Sequence, residues 1–245
     1  MTARQPLTYD VFVALAAADP AVAGLVLKGS RAHEGMATRH SDHDLYVVLA
    51  DGAGSDLTRF AGHRTAGLDL VVVTLAEFRA AGMPGFERYA LARAQVVLDR
   101  LGGEITRILA GKARLTAGEA ARDSATRLDA YVNSLYRSLK NHRDGQHLAA
   151  RLDAGDSVHH LLELLFTLDR RPRPYNKYLA WELARYPLPG WDTGALLHAV
   201  DRVTATGDAT AQRHLFARVE AAARRAGHGG VLDAWGEDLD LMRLR

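Results

Sequence analysis

Three short segments gather the residue types that phosphate chemistry needs. They are Gly29-Ser30-Arg31, Ser41-Asp42-His43-Asp44 and Leu68-Asp69-Leu70. Residues i and i+2 of a strand project to the same face, about 6.5–7 Å apart. Asp42 and Asp44 can therefore reach around one point, and Asp69 can join them from a neighbouring strand. Three carboxylates on one sheet face repel one another unless cations neutralise them. Hard oxygen donors of this kind suit Mg²⁺, with Mn²⁺ as a substitute. Two such ions about 3.5–4 Å apart can clamp the attacking and leaving oxygens of a phosphoryl transfer.

The glycine-serine segment supplies the complementary half. Gly29 lets backbone approach a phosphate closely. Ser30 stands where a short helix opens, and free N–H groups with the helix dipole favour an anion there. Arg31 adds a planar cation. The natural occupant is a β,γ-phosphate pair. A plainer reading makes Asp42 a turn cap and Asp44 an edge-strand charge, with Asp44 and Tyr46 on a wet face. The joint presence of the glycine-serine turn and Asp69 argues against it.

The elements that must position these groups are legible as patterns. A helix over residues 8–18 is capped by Thr8 and stopped by Pro20. Continuous apolar runs predict strands over 22–27, 44–49 and 68–75, with a fourth at 95–98. A helical stretch is expected over 76–94 and a short helix over 103–110. After Gly111 strand-like runs vanish. Leu128, Val132, Leu135, Leu139 and His142 recur at helical spacing, as do Val158, Leu161, Leu162, Leu165 and Leu168. Further helices are expected over 177–184, 193–203, 209–226 and 231–239. The reading is α+β: a small mixed-sheet domain over 1–112 and an all-α helical bundle over 113–245.

Gly29-Ser30, eleven intervening residues, then Asp42-x-Asp44 and an apolar strand resemble the signature of the polymerase-β nucleotidyltransferase superfamily. The Gly-Ser-Arg-Ala and Ser-Asp-x-Asp-Leu-x-Val forms are similar to its small bacterial branch, which includes aminoglycoside and lincosamide nucleotidyltransferases. The resemblance covers about residues 22–75. It implies an NTP donor, with ATP the first candidate, and transfer of a nucleoside monophosphate to a hydroxyl of a small molecule, with pyrophosphate leaving. It further implies that Gly29 and Ser30 hold the triphosphate, that Asp42 and Asp44 bind the metals, and that Asp69 completes the second metal and activates the acceptor. One departure is His43, where the family usually has an apolar residue. A histidine satisfied by hydrogen bonds is the expectation there, and a zinc site with His33 and His40 is disfavoured.

The helical half is expected to supply the acceptor pocket. On a 100° wheel Glu163 falls opposite the apolar stripe, beside His159, His160 and Thr167, on a face that is either solvent or the wall of a cleft. The resemblance to antibiotic nucleotidyltransferases, which often take the acceptor proton with a carboxylate of their helical domain, makes it the preferred candidate for the base. Glu87 ranks second. Asp153, Asp156 and Glu163 would make an acidic wall for a cationic acceptor. Lys177 could reach the triphosphate, and Tyr178 could stack on the base or acceptor. The cluster Arg170, Arg171, Arg173 and Lys177 reads either as solvated helix ends or as a polyphosphate cleft. Arg137-x₄-His142 resembles the Arg–His motif of HEPN ribonucleases, a match short enough to arise by chance. It frames the alternative function, a toxin–antitoxin component that modifies or binds a protein partner.

Composition bounds the rest. With no cysteine, disulfides, thiolate zinc sites and cysteine nucleophiles are excluded. A formal net charge of +2 argues against a dedicated nucleic-acid partner. No apolar run approaches the roughly 18–20 residues that span a bilayer, and no signal peptide is legible. A cytoplasmic enzyme, monomeric or homodimeric, is the expectation.

Overall fold

The structure, a computed structural model, describes residues 7–83, 85 and 87–244. Contacts divide the chain into two compact units, Met1–Arg114 and Leu115–Arg245.

The first unit is built on a mixed sheet of β1 (Val22–Lys28), β2 (His43–Leu49), β3 (Leu68–Thr74) and β4 (Gln95–Asp99), in the order β3-β2-β1-β4. β1 runs antiparallel to β2 and β4, whereas β2 and β3 are parallel. Both faces are covered, which is why the strands read as apolar runs rather than as alternations. On one face Leu25, Leu45, Val47, Leu68 and Leu70 pack under Phe12 and Ala16 of helix α1 (Tyr9–Ala18). On the other, Val26, Tyr46 and Val48 meet Phe78 of α2 (Leu75–Ala80), Leu91 of α3 (Glu87–Ala92), and Ile105 and Leu109 of α4 (Glu104–Lys112). Tyr46 is only 3% exposed, so the face that carries Asp44 is not a wet one.

The single helical stretch expected over 76–94 is instead two short helices. α2 ends at Ala80 and Gly82 follows in the left-handed region at φ 70°. Pro84 and Phe86, which also fall in that stretch, lie outside the described residues.

The second unit is helical throughout. α5 (Ala117–Arg143) opens on a capping box between Thr116 and Glu119 and pairs along its length with α6 (His147–Leu168). α7 (Leu179–Arg185), α8 (Thr193–Thr206), α9 (Ala209–Arg225), α10 (Gly229–Asp233) and α11 (Leu239–Met242) complete it. The helix expected from Lys177 begins as a 3₁₀ turn at Asn176–Tyr178, and that expected over 231–239 is broken by a second 3₁₀ turn at Gly236–Asp238. His142, expected to extend the apolar stripe of α5, is exposed near the helix end and meets the ring of His147. No helix among the described residues is long and apolar enough to cross a membrane.

One buried cation ties the first unit together. Lys112 is 1% exposed, and its Nζ donates to the carbonyls of Arg79 (2.9 Å) and Ala81 (2.7 Å), which end α2. Burial, and then Arg88, push its pKa below the ordinary lysine value. Arg88 in turn donates to the carbonyls of Lys112 and Arg114. Lys112→Ala leaves a cavity and two carbonyls without their donor, and should cost about 2–5 kcal/mol. Lys112→Met keeps the stem and should cost about 1–3 kcal/mol. Urea unfolding followed by far-ultraviolet circular dichroism checks both.

Candidate active site

The turn, the Asp42–Asp44 segment and the start of β3 meet at one end of the sheet. In register, Asp44 lies opposite Lys28 on β1 and opposite Asp69 on β3. Residues paired across neighbouring strands point to the same face. Lys28, Asp44 and Asp69 therefore share the face of Tyr46, and Asp42 precedes them two residues earlier. His43 points the other way. Its ring stacks on Tyr9 at 4.0 Å between centroids, and its Nδ1 lies 3.4 Å from the carbonyl of Gly67. It packs α1 against the strand.

Gly29 opens a 3₁₀ turn, Gly29–Ala32, at φ 73°. A Cβ built on it would overlap the carboxylate of Asp44. The left-handed backbone favours glycine at that position, and any side chain there would have to displace the Asp44 carboxylate. Ser30 is buried, and its hydroxyl donates to Ser41 Oγ at 2.7 Å. Arg31 donates from Nε to the carbonyls of Ser41 and Asp42 (3.1 Å each) and from Nη2 to Ser41 (2.8 Å). The guanidinium thus fixes the backbone that presents Asp42. His33 is 1% exposed and sits against the carbonyl of Gly29, while His40 is exposed and accepts from Arg39.

The electrostatic cost of the cluster falls on Asp44. Burial lifts the Asp44 carboxyl above its ordinary value, and the negative charges of Asp42 and Asp69 lift it further. Lys28 and Arg64 act in the opposite sense. Lys28 is already paired with Glu87 at 3.0 Å, and Arg64 lies 3.5 Å from Asp69. A cation would relieve this repulsion, and the donors are the hard oxygens that Mg²⁺ takes. Among the described residues no three His, Cys, Asp or Glu side chains converge as a ready ligand set. An ion here would take one or two of these carboxylates and complete its shell with phosphate oxygens and water, as Mg²⁺ commonly does.

The helical unit holds the remaining sequence candidates, and most already have partners. Glu163 lies 3.7 Å from Arg173, with side chains 15% and 6% exposed, so it is not on a solvated face. Thr167, expected beside it, is buried and accepts from Ser124 at 3.1 Å. Arg171 pairs with Asp169 and with the fully buried Glu182, and Arg170 donates to the carbonyl of Leu115. Asp153 is buried against Arg137 (3.2 Å) and Asn141 (2.7 Å), whereas Asp156 is exposed. Tyr178 is 5% exposed and belongs to the core, while Lys177 is exposed above its ring.

Two contributors went unread in the sequence. Lys28 had a signal, because it directly precedes Gly29 and an antiparallel register sets it beside Asp44. Tyr89 had none, since its contact with His33 spans 56 positions.

No family model matches the chain, and no curated protein does. A solved structure that it resembles is that of a nucleotidyltransferase-like protein from Exiguobacterium sibiricum. The match has 14% identity and a TM-score of 0.44, and covers 95% of this chain and 76% of that one. A likeness that distant carries no activity or residue role across.

Two outcomes follow from this geometry. A carboxyl whose pKa is raised on folding binds its proton more readily in the native state, so stability falls as pH rises through the interval above 3.8. Ionised Asp44 therefore destabilises the metal-free protein at neutral pH. Asp44→Asn should raise its thermal midpoint at pH 7 and flatten the acid side of its stability profile, as scanning calorimetry across pH would read. Gly29→Ala should cost about 1–2 kcal/mol from the left-handed backbone alone, and more from the displaced carboxylate, measured by urea unfolding.

Proposed function

We propose that the protein is a metal-dependent nucleotidyltransferase that moves a nucleoside monophosphate from an NTP, ATP foremost, to a hydroxyl of a small molecule. The observation that carries the reading is Gly29 pressed against Asp44, with Asp69 its register partner on the next strand. A glycine turn packed directly against one of a register pair of carboxylates supports reading them together as the two halves of a phosphate-transfer site.

In this reading Gly29 and Ser30 face the triphosphate, and Arg31 holds Asp42 in place. Asp42, Asp44 and Asp69 would hold Mg²⁺ or Mn²⁺, two ions in the full arrangement. Such ions neutralise the phosphates and stabilise charge on the attacking and leaving oxygens. The acceptor hydroxyl oxygen bonds to the α-phosphorus, the bond to pyrophosphate breaks, and a carboxylate takes the hydroxyl proton. Asp69 is the candidate base of the first unit. Glu163 is that of the helical unit, once its pair with Arg173 opens. Lys177 is an exposed cation of that unit and remains the candidate there for a phosphate contact. The motif resemblance favours an aminoglycoside- or lincosamide-like antibiotic as acceptor.

Isothermal titration of ATP, GTP, CTP and UTP, each with and without Mg²⁺, tests the reading on wild type and Asp42→Asn. At least one NTP should bind the wild type in a Mg²⁺-dependent way, and Asp42→Asn should weaken that binding by at least about tenfold with an unchanged circular dichroism spectrum. The absence of any NTP binding to the wild type, or equal binding to the variant, would sink it.

A further inference from the structure

The Gly29–Ser30 peptide has a partner that the motif does not contain. His33 Nδ1 lies 2.7 Å from the carbonyl oxygen of Gly29, and its Nε2 lies 3.3 Å from the hydroxyl of Tyr89. A carbonyl only accepts, so Nδ1 carries the proton, and Nε2 is left to accept from the tyrosine. Both residues are 1% exposed, with ring centroids 5.8 Å apart. Two polar rings in a core cost free energy unless their hydrogen bonds are made. An apolar pair would fill the space without that requirement. One of these bonds reaches the carbonyl of the turn glycine.

The consequence lies in the planarity of the peptide bond. In a trans peptide the C=O and the following N–H point in opposite directions. Holding Gly29 O toward His33 therefore aims the N–H of Ser30 away from it. The freedom that lets Gly29 adopt φ 73° would also let this peptide rotate. The same segment of chain steadies the turn at two further points. Glu87 pairs with Lys28, and Gln95 donates to the carbonyl of Ala32 at 3.0 Å. Arg88 fixes α3 from its other side through Lys112 and Arg114.

We infer that His33 and Tyr89 are positioning residues: the chain Tyr89 O–H to His33 to Gly29 O fixes the peptide plane that directs the Ser30 N–H at a donor phosphate. The inference rests on the nucleotide reading above and extends it to residues outside the motif.

The test is titration of ATP, GTP, CTP and UTP with MgCl₂ into wild type, His33→Leu, His33→Asn and Tyr89→Phe, well below each thermal midpoint, with the midpoints recorded in parallel. For an NTP that binds the wild type, His33→Leu should raise Kd at least about tenfold and Tyr89→Phe about threefold. His33→Asn, whose amide nitrogen can replace Nδ1, should stay within about threefold of wild type. Should His33→Leu fail to fold, Tyr89→Phe and His33→Asn still decide the matter. Lowered midpoints with an unchanged Kd in Tyr89→Phe, or a His33→Asn no better than His33→Leu, would make the pair core packing and overturn the inference. Binding by the wild type that all variants match would overturn it alone. No NTP binding by the wild type would remove the nucleotide reading and this inference with it.

Discussion

The carboxylate of Asp44 occupies the space where any side chain at position 29 would lie, and the first unit is arranged around that contact. The antiparallel register of β1 and β2 brings the two strand ends together, and the parallel register of β2 and β3 adds Asp69 on the same face. Burying a carboxylate beside two others opposes folding unless something compensates. Most of the compensation available is apolar: Tyr46 and Val48 on the same face, and Leu45 and Val47 on the other, are covered by helices. The sheet core is rigid enough to hold an unfavourable charge arrangement at its end. That division is expected where a site must stay poised for a ligand.

The helical unit follows a different logic. Its arginines look like a cationic surface in the linear sequence, yet Arg170, Arg171 and Arg173 are turned inward to carbonyls and carboxylates. Arg170 is also the one non-glycine residue with positive φ among those described. These contacts order the segment between α6 and α7 around buried charge, where partner and geometry are both specified. The unit is therefore held by a polar lattice as well as by the α5–α6 seam.

Strands and the α+β class were legible because continuous apolar runs have few other uses at that length. The aspartate pair and the glycine turn were legible for a chemical reason: those residue types at that spacing are costly without a ligand. What the sequence did not carry is which partner the fold brings up to a side chain. The α6 wheel places Glu163 opposite the stripe, but a wheel has no knowledge that Arg173 closes over it or that Ser124 meets Thr167. Likewise the sequence offers Arg31 as a cation beside the turn, and the fold adds contacts the sequence did not show, from its guanidinium to the carbonyls of Ser41 and Asp42. The break after α2 was written in Gly82, and the helical periodicity on either side obscured it.

The positions of the cations bear on where charge neutralisation would come from. Around the three aspartates, Lys28 is paired with Glu87, Arg31 is held by the Ser41 and Asp42 carbonyls, and Arg64 leans on Asp69. Each already serves the protein's own carboxylates or backbone. A triphosphate brought to Gly29 would add several negative charges to a cluster whose carboxyl Asp44 is already lifted, first by burial and then by Asp42 and Asp69. Oriented N–H groups supply partial charge and direction, but they do not balance a whole polyanion. On the proposed function, donor and divalent cation would therefore enter together, each making the other's binding favourable. The structural burden on the protein is then to keep one peptide plane and two carboxylates in fixed relation, which is the relation the Gly29–Asp44 contact enforces.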